Sequence, residues 1–318
     1  MSNYPPPTIE EIQMMLICLD PNCDRDEWSR VLMAVKSEYS GADGLDAILN
    51  WSSEGNNYRE QDVRDTWRSI KSGGGVNIGT LIYKATAKGF RWSKRPEPLS
   101  PEEKARREQA AKVKADAEEK ALSEKRESAR ITALELWNKG NVATNENPYL
   151  LRKGVLATTT LKQLPVNEVI NIIEYEPKSK GQLLTGELLI VPIVFEGNIV
   201  SIEMIDGSGL KHGLAGGQKK GGCWATKRIP ENKDTTFLVC EGVSTTISAA
   251  TSLDGSVGIS TFSCGNLLSV SKSLRAQYPQ SKIILVSDLG NGEKHAIDAA
   301  NECGGYLARA DVLAEAAA

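Results

Sequence analysis

The chain has 318 residues, 40% hydrophobic and 25% charged, ordinary globular values with length enough for two or three domains. Its formal net charge of −3 excludes a sequence-wide cationic grip on nucleic acid and leaves only local basic tracks for that purpose. No apolar run approaches the roughly 18 residues that cross a bilayer and no basic-then-apolar leader opens the chain, so a membrane-free, cytoplasmic protein is expected.

In chain order, a helical pattern runs from Thr8 to about Trp92. Thr8 and Glu11 stand three apart among Ile9, Ile12, Met15, Leu16 and Leu19, which predicts a capping box and one apolar helix face. A second helix is predicted after Asp24, carrying Trp28, Val31, Leu32 and Val35, and a third holds Leu45, Ile48, Leu49 and Trp51. Arg59 to Ile70 reads as a fourth, with Val63, Thr66, Trp67 and Ile70 facing inward. Ser72-Gly73-Gly74-Gly75 breaks the run, and Ile78 to Ala87 forms the last helix. The expected unit is a helical bundle over residues 1–95 with its tryptophans in the core.

Residues 96–138 read as a charged helical spacer. From Pro101 to Arg130 there are nine basic and eight acidic side chains, with Val113 and Leu122 the only sizeable apolar ones, so such a helix buries almost nothing. Glu102/Arg106, Glu103/Arg107, Glu108/Lys112 and Asp116/Lys120 stand four apart with the acid first, the stabilising order. Ile131 to Trp137 then offers an apolar end that can dock on the next domain.

Beyond it the pattern changes. Leu188 to Phe195 and Ile199 to Ile205 read as two strands joined by a tight turn at Gly197-Asn198. Phe237 to Cys240 and Ile283 to Val286 are short, wholly apolar strands with a helix, Val243 to Ser252, between them, as in buried parallel sheets. The fold class expected is therefore multidomain, mixing α+β and α/β: a helical bundle, the spacer, and a C-terminal α/β region.

The six cysteines, Cys18, Cys23, Cys223, Cys240, Cys264 and Cys303, form no CxxC pair, and His212 and His295 are remote from Cys18 and Cys23. Structural zinc needs four converging N or S ligands, so no zinc is expected, and scattered thiols suit a reducing cytoplasm. The chemistry-bearing residues are instead two acids at strand ends, Glu241 after Val239-Cys240 and Asp288 after Val286-Ser287. Ligands gather at the C-terminal ends of strands in open α/β sheets. Two carboxylates from adjacent strands suit Mg²⁺ or Mn²⁺, hard cations that hold phosphate oxygens in phosphoryl transfer.

This context resembles the Toprim domain shared by primases, topoisomerases and some nucleases, in which one apolar strand ends in Glu-Gly and a later one in Asp-x-Asp. Phe237 to Gly242 and Ile283 to Asp288 match both strands, and Thr261-Phe-Ser-Cys-Gly-Asn-Leu267 is similar to a segment of phage and plasmid primases. The resemblance implies Glu241 as general acid/base or metal-positioning carboxylate and Asp288 as the principal metal ligand. The chain departs at the second acid of the pair, reading Leu289-Gly290-Asn291-Gly292-Glu293. Asn291, Glu293 or a water is left to supply that oxygen.

Asn147-Pro-Tyr-Leu-Leu-Arg-Lys-Gly154, Leu189-Ile-Val-Pro-Ile193, Val200 to Lys211 and Gly216 to Gly222 are similar to the segment that leads into the catalytic core of conjugative-plasmid and phage primases. Independently of that likeness, Lys211, Lys219, Lys220, Lys227 and Arg228 lie between Asp206 and Glu231 with no acid among them. Paired glycines there let a backbone approach phosphate closely. With Arg152 and Lys153 these cations form the expected surface for template backbone or NTP triphosphate.

Finally, Arg25-Asp-Glu-Trp28, Ala34-Val-Lys36, Trp51-Ser52, Tyr58, Trp67-Arg68-Ser69 and Gly79-Thr80-Leu81 resemble the helical domain usually found at the C-terminal side of viral and plasmid primases, here at the front. Together the resemblances imply a DNA primase of a phage, plasmid or mobile genetic element, making short primers from NTPs on single-stranded DNA. Residues 139–232 would form its basic core segment and 233–318 its metal-binding domain. No Walker A ending occurs, so a separate replicative helicase is the expected partner. A Toprim nuclease and a non-catalytic accessory that binds single-stranded DNA are the other readings left open.

Overall fold

Helix starts in the N-terminal unit are set by side chains that satisfy the first orphan N–H groups. In this computed structural model Thr8 caps α1 (Ile9–Ile17) in a full capping box with Glu11, and Asp24 caps α2 (Arg25–Lys36). α3 (Ala42–Ser53) and α4 (Glu60–Ser69) come next, and Asn77 caps α5 (Ile78–Ala87). The structure describes residues 4–70, 75–93, 97–230, 234–287 and 292–309, so of the expected glycine break at 72–75 only Gly75 is described.

Ile12, Leu16, Val31, Leu32, Ile48, Trp51, Val63, Trp67 and Leu81 form one core. Two indole N–H groups are satisfied inside it: Trp28 donates to Ser52 Oγ at 3.1 Å and Trp51 to the Leu19 carbonyl at 3.1 Å. Burying these two tryptophans therefore carries little polar cost.

α6 (Pro101–Lys139) starts in the first compact unit, Met1–Ala115, and ends in the second, Asp116–Ala318. Only Ala129, Ala133 and Leu136 are buried along it. The four acid-first pairs expected on this helix do not close. Among the described residues the ion pairs within the helix are Lys120–Glu124 at 4.0 Å and Arg130–Glu127 at 2.7 Å. On a solvated helix an exposed pair stabilises too little to hold two long side chains in one geometry.

The second unit continues with β1 (Asn141–Val142), α7 (Pro148–Lys153), β2 (Lys162–Pro165), α8 (Val166–Ile173) and a small ribbon, β3 (Lys178–Ser179) with β4 (Gln182–Leu183). Then come β5 (Glu187–Phe195), β6 (Asn198–Ile205) and β7 (Lys211–Gly213), which complete an antiparallel sheet in the order β1-β2-β5-β6-β7. The β5–β6 turn sits one residue earlier than expected. Glu196 and Gly197 carry the left-handed φ values, 48° and 78°, and Asn198 already belongs to β6. Two successive left-handed residues match the twist of the flanking strands.

The last sheet is built from β8 (Trp224–Ala225), β9 (Thr236–Cys240), β10 (Val257–Ser260), β11 (Lys282–Ser287) and β12 (Tyr306–Arg309), in the order β12-β11-β9-β10-β8, with only β8 antiparallel. α9 (Val243–Ser252), α10 (Leu267–Gln277) and α11 (Glu293–Cys303) connect the parallel strands. Phe237, Val239, Ile283 and Leu285 pack on α10 and α11, while Leu238, Cys240 and Val286 pack on the α9 side. Cover on both faces explains why these strands are apolar throughout. The two acid-ending strands are direct neighbours, with Phe237 beside Ile283 and Val239 beside Leu285. The chain thus has a helical N-terminal region and an α/β C-terminal region, the fold class expected.

Candidate functional site

β9 ends at Cys240, and Glu241 stands exposed at its C-terminal edge, just ahead of α9. Its backbone carbonyl accepts from the Phe262 N–H at 2.9 Å and the Ser260 hydroxyl at 3.0 Å, which fixes it to the end of β10. Its carboxylate meets no protein donor among the described residues. Gly292, the residue before α11, lies at this edge: a methyl group on it would lie 3.6 Å from Glu241 Oε2. Asp288 and Asn291 lie outside the described residues. Glu293 is the half-buried first residue of α11. Exposed carboxylate oxygens of this kind fit a hard divalent cation, although among the described residues no three His, Cys, Asp or Glu side chains converge.

A basic loop is tied to the same edge, and the tie is Asn266. Its Nδ2 donates to the carbonyls of Lys219 at 3.1 Å, Gly222 at 2.9 Å and Thr261 at 3.0 Å, while its Oδ1 accepts the Gly221 N–H at 2.8 Å. Asn266 is the asparagine of the Gly-Asn-Leu segment, and it acts as a buried clamp between loop 216–222 and the end of β10. The double glycines serve the same docking. A Cβ at Gly217 would lie 2.0 Å from Ser201 Oγ, and one at Gly222 2.5 Å from Ile193 Cγ2. Their missing side chains are thus taken up by the protein's own packing rather than by an approaching phosphate.

Sequence reasoning missed the partner of Lys219. Its ammonium reaches Glu203 Oε2 at 2.8 Å and stands 5.6 Å from the centre of the Phe262 ring. Glu203 comes from β6, outside the acid-free interval, so the loop is less cationic than its sequence suggests. The one signal in the sequence was an acid inside the mainly apolar run Ile199 to Ile205.

Arg152 donates through Nε to the Gly207 carbonyl at 2.8 Å and fills the space over Gly209. Lys211 opens β7 just past that turn, and Lys153 is exposed at the end of α7. The Tyr149 hydroxyl of α7 sits 3.3 Å from Ser244 Oγ, three residues beyond Glu241, so α7 lies beside the start of α9. Lys227 and Arg228 go elsewhere. β8 is antiparallel, with Trp224 opposite Ser260, Ala225 opposite Ile259 and the Thr226 N–H bonded to the Gly258 carbonyl. The chain therefore leaves β8 toward the N-terminal edge of β10, opposite Glu241. The single cationic surface expected from sequence splits between two ends of one sheet.

Residues 12–85 match the family model of Primase C terminal 2 (PriCT-2). The helical bundle is similar to a PriCT-2 domain. The chain is also similar to the primase fragment of the bacteriophage T7 primase-helicase protein, 15% identical over 54% of this chain and 65% of that fragment, with a TM-score of 0.36. This chain thus spans just under two thirds of that fragment. A second similar structure is a bacteriophage T7 lagging-strand DNA polymerase interacting with primase domains bound to an RNA/DNA hybrid and dTTP, 15% identical over 54% of this chain and 79% of the matched one, TM-score 0.34. No helix among the described residues is long and apolar enough to cross a membrane.

Proposed function

We propose that this chain is a primase that condenses NTPs into short primers on single-stranded DNA during replication of a phage, plasmid or mobile genetic element. The observation that carries the reading is the meeting, at one sheet edge, of the Glu241 carboxylate, unpartnered among the described residues, and the Lys219–Lys220 loop clamped by Asn266. The PriCT-2 match of the bundle supports it, and so does the adjacency of β9 and β11, the two strands that lead to Glu241 and Asp288.

In this reading Glu241 and Asp288, with an oxygen from Asn291 or Glu293, would hold Mg²⁺ or Mn²⁺, which neutralises charge on the triphosphate during transfer. The protein's own groups do the remaining work. Glu241 positions that cation or accepts the proton of the attacking 3′-hydroxyl. Lys220 binds phosphate at the sheet edge, in a loop whose Lys219 is held by Glu203, and Arg152, Lys153 and Lys211 bind template backbone beside the start of α9. Unwinding is left to a separate helicase.

The test is to incubate the protein with single-stranded DNA, labelled NTPs and Mn²⁺ or Mg²⁺, beside Glu241→Gln and Asp288→Asn variants. Short oligomers made by the parent and lost in both variants are expected. A parent that makes none on varied templates while still binding DNA would overturn synthesis and leave an accessory role.

A further inference from the structure

The loop at residues 216–222 has an imbalance between its backbone donors and acceptors. The Lys219 carbonyl is taken by Asn266 Nδ2 and by the Gly222 N–H at 3.1 Å, and the Lys220 carbonyl by Gln218 Nε2 at 3.2 Å. The Gly217 N–H is spent on Leu214, the Gly221 N–H on Asn266 and the Cys223 N–H on Val194. Three consecutive N–H groups remain. Among the described residues those of Gln218, Lys219 and Lys220 meet no acceptor.

Each unpaired amide carries a partial positive charge, and successive backbone amides in a turn can together hold an anion. The side chains sort the same way. Lys219 is neutralised by Glu203, whose carboxylate is only 4% exposed and cannot easily leave. Lys220 is exposed and has no ion pair among the described residues. The net positive character of the loop therefore comes from Lys220 and the three amides rather than from two free lysines.

We infer that the Gln218–Lys220 backbone is a phosphate-binding nest, and that Asn266 is the positioning residue that builds it by holding the Lys219 carbonyl inward. The inference deepens the proposed function and rests on it only for where the phosphate comes from: the triphosphate tail of a nucleotide or the backbone of a single strand. Both present the same tetrahedral oxygens to the amides.

The experiment is a ¹H–¹⁵N titration of the full chain, without metal, using inorganic tripolyphosphate in one arm and a short single-stranded oligothymidylate in the other. The amides of Gln218, Lys219 and Lys220 are expected to move together and to saturate. Lys220→Gln should weaken binding yet leave the shifts of Gln218 and Lys219, because their N–H groups remain. Asn266→Ala should abolish the shifts and weaken affinity about tenfold or more, since released carbonyls compete for the space. If Asn266→Ala fails to fold, the parent titration decides alone. Shifts confined to other residues in both arms, or unchanged in Asn266→Ala, would overturn the nest. Shifts from tripolyphosphate alone assign the triphosphate tail, and from the oligonucleotide alone the strand. A protein that makes no primer but gives these shifts would sink the synthesis reading while the nest stands.

Discussion

Glu203 holds the ammonium of Lys219 at 2.8 Å with a carboxylate that is 4% exposed, whereas the lysine is 41% exposed. The two partners are therefore unequal. Removing the lysine strands a buried charge, while removing the acid frees a cation that can turn to water. Lys219→Met is expected to destabilise the protein by about 1–3 kcal/mol, below the value for a fully buried pair because the lysine is part-solvated. Glu203→Leu with Lys219→Met should recover most of that loss, and urea unfolding of the single and double variants reads both. A Lys219→Met protein as stable as the parent would mean that the carboxylate finds another partner.

The close approach of Gly217 to Ser201 makes a second, compensable prediction. Gly217→Ala places a methyl on the Ser201 side chain and should cost about 1–3 kcal/mol through a shifted loop. In a Ser201→Gly background the same substitution should cost much less. Equal losses in both backgrounds would argue that the Leu214 carbonyl, 3.0 Å from the added methyl, excludes alanine rather than Ser201.

Because β8 sends Lys227 and Arg228 away from Glu241, the cations of this region should not act alike on DNA. Lys220→Gln should lower the slope of log affinity against log salt by about 0.7 for single-stranded DNA. Lys227→Gln and Arg228→Gln should leave that slope where it is. Fluorescence anisotropy across a salt series distinguishes them, and a uniform drop for all three would restore a single continuous basic surface.

Burial pushes the Cys223 thiol up to about 11. The folded protein therefore keeps this proton where an exposed thiol has lost it, so the associated stability is complete below the ordinary value near 9 and is lost as pH rises toward 11. Unfolding measured from pH 8 to 11 should show the parent losing stability relative to Cys223→Ala across that window. At pH 8 alkylation of Cys223 should be slow; rapid labelling of the folded protein there would contradict the shift.

Local grammar carried much of the fold. Thr8 with Glu11, and Asp24 before Trp28, mark helix starts because capping is decided within four residues. Val243–Ser252 and the flanking strands were likewise legible, since a wholly apolar strand is what burial on both faces requires. The site was legible only in part. Glu241 at a strand end is local information, but the role of Asn266 depends on a loop more than forty residues away in sequence. The antiparallel direction of β8, which removes Lys227 and Arg228, is a pairing choice that no spacing of lysines encodes. The ion pairs expected along α6 failed for a different reason, because solvent competes too well for exposed charges.

The bonds that shape loop 216–222 reach 44, 45 and 47 residues along the chain. Bringing such distant segments together costs chain entropy before any of the bonds can form. Asn266 holds the loop to Thr261, whose N–H bonds the Cys240 carbonyl of β9 at 2.9 Å, so the shape of the loop depends on the paired sheet. During synthesis and refolding the protein should hold a formed sheet before it can hold a phosphate, and anion binding should be among the last properties to appear.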